Sequence, residues 1–179
     1  MDKQNERSIV VFNGDIGDTE LKLIPYEFNG DVVVHGNVRT LGFDSVISIK
    51  GNMWIGGNLY SKQLEVDGDF VCCGNIKTGN VKVGANFTCG GNIIQALDME
   101  VGKNFKCCGN IDSANNITAF GNFDCGGGIN FADNIYSAYN FACEGDIIRT
   151  GEIEVGEVFR CNGKINCAFI KIIGYKCDN

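Results

Sequence analysis

The 179-residue sequence predicts an all-β fold, a single-stranded triangular parallel β-helix (β-solenoid) of about nine rungs of 17–18 residues. Three observations predict it. Phenylalanine recurs at Phe70, Phe87, Phe105, Phe123, Phe141 and Phe159, with one spacing of 17 residues and four of 18. Around each of these, apolar and polar residues alternate with the period of two that marks a strand with one buried face. Glycine is abundant, 25 residues against a single proline, Pro25. Pairs at Gly74-Asn75, Gly91-Asn92, Gly109-Asn110, Gly121-Asn122 and Gly145-Asp146 punctuate the repeat. So much glycine disfavours helices, and Gly and Asn tolerate the left-handed backbone that a sharp corner is expected to need.

Each rung is then read in order. Its first side carries Phe and, two positions on, a cysteine: Cys72, Cys89, Cys107, Cys125, Cys143 and Cys161. Residues i and i+2 share a strand face, so both are assigned inward. The second side carries an aliphatic residue six positions after the Phe: Ile76, Ile93, Ile111, Ile129, Ile147 and Ile165. The third side is an apolar pair, Val81/Val83, Met99/Val101, Ile117/Ala119, Ile135/Ser137, Ile153/Val155 and Ile170/Ile172. Upstream the same template fits Met53, Ile55, Leu59, Leu64 and Val66. Before that it fits Val32, Val34, Val38, Ile47 and Ile49, with extra residues near Leu41-Gly42-Phe43, and first of all Val10, Phe12, Ile16, Leu21 and Leu23. One domain, residues 1–179, follows, with rungs over about 10–172 and short tails at 1–8 and 174–179. At roughly 4.8 Å per rung the rod is on the order of 40 Å long, and like residues form interior columns.

Composition excludes several classes. A hydrophobic content of 44% with 21% charged residues belongs to a folded protein. A net charge of −7 excludes nucleic acid as a partner, since that binding rests on clustered Lys and Arg. No apolar leader lies in Met1–Ser8 and no apolar run is long enough to span a membrane, so a cytoplasmic location with free thiols is expected for the ten cysteines. The glycosylation-like tripeptides at Asn86 and Asn116 carry no weight without secretion.

The candidate chemistry resolves mostly into packing. A single file of cysteines on one sheet face does not converge on a tetrahedral metal, and in-register Cβ atoms lie farther apart than a disulfide prefers. The column is therefore read as small buried hydrophobes. Cys73 and Cys108, at outward or corner positions, are the candidate exposed thiols. His35 is the one histidine and the one candidate base for a left-handed hexapeptide-type acyltransferase, and it is read instead as a surface corner residue. The Gly156–Lys164 segment lacks the spacing and hydroxyl of a phosphate-binding loop. No catalytic residue, cofactor or metal is assigned.

Outward positions are more telling. Lys22, Ser48, Glu65, Lys82, Glu100, Thr118, Tyr136, Glu154 and Lys171 form a solvated face of mixed charge. Val11, Val33, Trp54 and Val71 form an apolar outer stripe, a candidate lateral surface covered by a second rod, by Leu41-Gly42-Phe43 or by Tyr26 and Phe28 folding back. At the ends, Asp2, Lys3, Glu6 and Arg7 on one side and Tyr175 on the other are thin covers, so end-to-end stacking into filaments is expected.

With those residues in view, the recurrent Gly-[Asn/Asp]-[Val/Ile/Phe] corners and 17- or 18-residue turns from Val10 to Ile172 resemble the bactofilins, the bacterial polymer-forming cytoskeletal family. The resemblance implies a right-handed β-helix without substantial caps, nucleotide-free homopolymerisation and a scaffold role near a membrane surface. The Phe and Cys columns depart from that family's pattern. Two other readings stand beside the scaffold: a monomeric binding or decoy rod acting on a protein partner, and the acyltransferase.

Overall fold

A computed structural model describes residues 8–17, 28–40 and 46–174. Those residues form strands and no helix, and each strand pairs in parallel with its counterpart one turn later. The first face is a nine-stranded sheet running from Ser8–Phe12 through Gly30–Val34 and Met53–Ile55 to Phe159–Cys161. A second, five-stranded face runs from Ile16–Gly17 to Ile93–Gln95 and continues as single bridges linking Ile93, Ile111, Ile129 and Ile147. The third face has eight strands, beginning at Val46–Ile49. About eight complete turns result.

The phenylalanine spacing sets the register. Phe70 pairs with Phe87, Phe87 with Phe105, and so on to Phe159, which carries Cys72 to Cys161 along as a second column. Phe70, Phe87, Phe105, Phe123 and Phe141 are buried, as are Cys72, Cys89, Cys107, Cys125 and Cys143 and the column from Ile76 to Ile147. Ring centroids of Phe87 and Phe105, Phe105 and Phe123, and Phe123 and Phe141 lie 5.0, 4.7 and 4.8 Å apart, with interplanar angles of 6°, 3° and 4°. Such near-parallel stacking follows from the rung spacing, which leaves little room for the rings to tilt.

Three expectations are corrected. Phe159, Cys161 and Ile165 were expected as interior residues. Phe159 and Cys161 are only half-buried and Ile165 is 44% exposed, because they sit in the last rung with no described rung above them. Phe28, one of the alternatives for covering the outer stripe, instead bridges to Ile49 and packs against the core. It thereby takes the place beneath Ile49 that the template gave to Leu23; Leu21, Leu23, Pro25, Tyr26 and Leu41-Gly42-Phe43 lie outside the described residues.

The third correction concerns glycine. No described residue has a positive φ, so the corners do not need glycine for a left-handed backbone. They need it for space. A Cβ at Gly57, Gly74, Gly91, Gly109 or Gly127 would lie 2.8–2.9 Å from the carbonyl carbon of the glycine one rung below. Replacing Gly91 by Ala drives a methyl into backbone that cannot swing away, so a loss of roughly 1–3 kcal/mol is expected. Urea denaturation of the variant measures it, and an unchanged midpoint would mean that the corner has slack.

One interior column lies outside the sequence template. Thr40, Thr78, Ala96, Ala114, Ala132 and Thr150 are buried along the corner between second and third faces, with half-buried Ser61 and Cys167 completing it. The Ser61 and Thr78 hydroxyls bond each other at 2.9 Å, whereas Thr40 Oγ1 and Thr150 Oγ1 are buried without a partner.

Candidate functional site

The glycine corners hold the side chains that organise the rod's surface. At the corner between first and second faces, Asp15 Oδ1 accepts from both the backbone N–H and Nδ2 of Asn37, at 2.7 and 3.0 Å. Asn37 serves Asn58 in the same way, and Asn58, Asn75 and Asn92 each accept the backbone N–H one rung higher at 2.8 Å. Asn110 accepts from Gly128, and Asp146 from the Lys164 N–H. A second ladder climbs the corner between third and first faces through Asp31, Asn52, Asp69, Asn86, Asn104, Asn122 and Asn140. Asparagine suits this role because its oxygen accepts from above while its NH₂ donates below. The ladders give the rod a direction, since every Oδ1 points its acceptor toward the C-terminal rung.

Both ladders change chemistry at their ends. The first begins at exposed Asp15 and finishes at exposed Lys164. In the second, Asp31 pairs with Ile9 below it, 63% exposed, and Val158 follows Asn140 at the top, 40% exposed. The last rung also exposes Ile165, Phe169, Ile172 and Ile173, at 43–55%. Below it, Phe141 N–H donates to Val158 C=O and Ile147 N–H to Lys164 C=O, a pattern that among the described residues ends with this rung. At the opposite end Ile16 is buried while Phe12 is half-buried. Asp2, Lys3, Glu6, Arg7 and Tyr175 lie outside the described residues.

The thiol column is chemically quiet. Each Sγ contacts corner carbonyls, as Cys107 does with those of Gly91 and Gly109, both at 3.5 Å. Burial pushes the Cys72 thiol up to about 11. At Cys107 the Cys125 thiol pulls the value down, but the Cys89 thiol and burial outweigh it and push it to about 12. At Cys125 the Cys107 thiol, with burial, likewise pushes the value to about 12 against the pull of Cys143. Thiolate, the nucleophilic and metal-binding form, is thus suppressed at Cys72, Cys107 and Cys125. Among the described residues no group of three or more His, Cys, Asp or Glu is placed to hold a metal ion.

Cys73 and Cys108 are exposed and unpaired. They are two rungs apart in one corner column with Gly90 between them. Replacing both by Ser is expected to remove two equivalents of fast-reacting thiol at pH 7.5, read with a chromogenic disulfide reagent. An unchanged fast phase would place the reactive thiols elsewhere.

His35 is exposed at its corner, its ring 5.5 Å from Trp54 in an edge arrangement. Trp54, Val33 and Val71 are half-buried and Val11 is 50% exposed, all in register on the outer side of the first face. On the third face Lys82 reaches Glu100 at 3.9 Å and Lys171 reaches Glu154 at 3.3 Å, as alternating cross-strand charges do, and exposed pairs of this kind add little stability. That face is shallowly grooved past Glu65, Lys82, Asp98, Glu100, Asn116 and Phe120. No helix among the described residues is long and apolar enough to cross a membrane. No family model, curated protein or solved structure matches the chain.

Proposed function

We propose that this chain is a non-catalytic structural building block that self-associates end to end into filaments. The observation that carries the reading is the last rung. Its Phe159, Cys161 and Ile165 repeat the columns that are sealed in earlier rungs, yet Ile165, Ile172 and Ile173 stand 43–52% exposed. A parallel strand edge above an open apolar cross-section is a template for one more rung, and a second copy of the same repeat supplies one without any new geometry. This agrees with the scaffold role that the bactofilin-like repeat implies, with the chain itself as partner. Such an assembly needs neither nucleotide nor metal, and a membrane surface enters only as something the finished filament could lie against.

Sedimentation velocity and electron microscopy across a concentration series test the reading. Rods lengthening in steps of about one chain support it. A single monomeric species at high concentration overturns it and leaves the monomeric binding rod, with its third-face groove, as the better account. The acyltransferase reading has no observation in its favour beyond the presence of His35.

A further inference from the structure

We propose that copies join head to tail, the C-terminal rung of one against the N-terminal rung of the next, giving a polar filament. This rests on the end-to-end reading above and adds its orientation. Three features of the two ends match in that sense, and the first two match in no other.

The first is steric. Gly14 starts the corner column that ends at Gly163, and among the described residues nothing lies within 4 Å of where its Cβ would be. Its φ is not positive either, so nothing among the described residues of the same chain requires glycine there. Higher in the column a Cβ strikes the glycine below, as at Gly163 over Gly145. Stacking the next copy's Gly14 on Gly163 recreates that close approach, and the glycine acquires a reason. The second is electrostatic. In the same stack the exposed carboxylate of Asp15 lies above the exposed ammonium of Lys164 and continues the ladder by an ion pair. The third is apolar. Ile9 and Val158, which replace the polar ladder at its two ends, meet each other and leave the solvent they now face. In a tail-to-tail or head-to-head join, Gly14 does not meet Gly163 and Asp15 does not meet Lys164.

A complementation experiment decides the orientation. Gly14→Val blocks the N-terminal end and Lys164→Glu the C-terminal end. Ile9→Glu is a second N-terminal block at a residue already 63% exposed, in case Gly14→Val fails to fold. Circular dichroism checks that each variant keeps its sheet signal. Each variant alone is expected to associate at least about tenfold more weakly than the unmodified chain, through overpacking or like-charge apposition. Mixed, they retain one intact end of each kind, and sedimentation should show a 1:1 dimer that neither forms alone. If the N-terminal variants still self-associate like the unmodified chain, or if the mixture stays monomeric, the head-to-tail orientation is wrong while end-to-end association survives. Should the unmodified chain never associate, both fall together.

Discussion

Phe105→Ala is expected to lower the unfolding free energy by about 3–5 kcal/mol, the range for emptying a buried aromatic site. The Phe105 ring is fully buried between Phe87 at 5.0 Å and Phe123 at 4.7 Å. Truncation therefore removes two stacked contacts, each worth about 0.5–1.5 kcal/mol beyond burial. The void cannot collapse easily, because collapse would draw adjacent rungs together. Backbone bonds and the Asn86, Asn104 and Asn122 ladder already hold those rungs at their natural spacing. Phe159→Ala supplies the internal control. That ring is half-buried and, among the described residues, stacks on one neighbour only, Phe141 at 5.0 Å, so its loss should cost about half as much or less. Urea denaturation followed by circular dichroism compares the two. Equal costs would mean that the column is not the element holding the rungs together.

The same contrast between middle and end shows what could be read from the residues. The Phe, Cys and Ile columns were legible because a spacing repeated almost without error forces like residues into register, and the pairings from Phe70 to Phe159 follow it. The fate of the last copy of each motif was not legible. Phe159 fits the same Phe-x-Cys template as Phe105, and it differs in having no described rung above it. Phe28 was misplaced because the first third-face segment is longer than the template, and an apolar pair at the expected distance, Leu21 and Leu23, masked the residue that bridges to Ile49. The Thr and Ala column escaped because small residues leave no hydrophobic signal, although their recurrence at 17 or 18 residues from Ser61 on was available. Asparagine was noticed as a corner former, but its side-chain ladder depends on rung-to-rung distance, which a sequence does not display. Glycine was likewise read correctly in place and wrongly in cause. The end residues Asp15, Lys164, Ile9 and Val158 gain meaning only once the columns are known to terminate on them.

Raising the pH above about 9 is expected to destabilise the fold steeply, by roughly 4 kcal/mol per pH unit near pH 10. The buried thiols set both sign and window. An ordinary thiol near 9.0 is raised to about 11 at Cys72 and about 12 at Cys107 and Cys125. Below pH 8 these groups are protonated in both states and contribute no pH dependence. Between about 9 and 11 the unfolded chain has lost protons that the folded chain keeps, so stability falls as pH rises, by about 1.4 kcal/mol per unit for each thiol. Three such thiols give the stated slope, and the fall eases only as Cys72 begins to ionise within the fold at about 11. Cys143, also buried and also raised, pushes the slope the same way. A variant isolates the contribution of one thiol from that of every other group. Cys107→Ala is expected to be about 1 kcal/mol less stable than the unmodified chain at pH 7, from the sulfur's lost packing. Its stability should then fall more slowly, the gap closing by about 1.4 kcal/mol per pH unit above 9 until the two curves cross. Denaturation midpoints at pH 7, 9, 10 and 10.5 follow the crossing. Parallel curves would show that Cys107 ionises as readily in the folded rod as in the unfolded chain, and that the column is open to water.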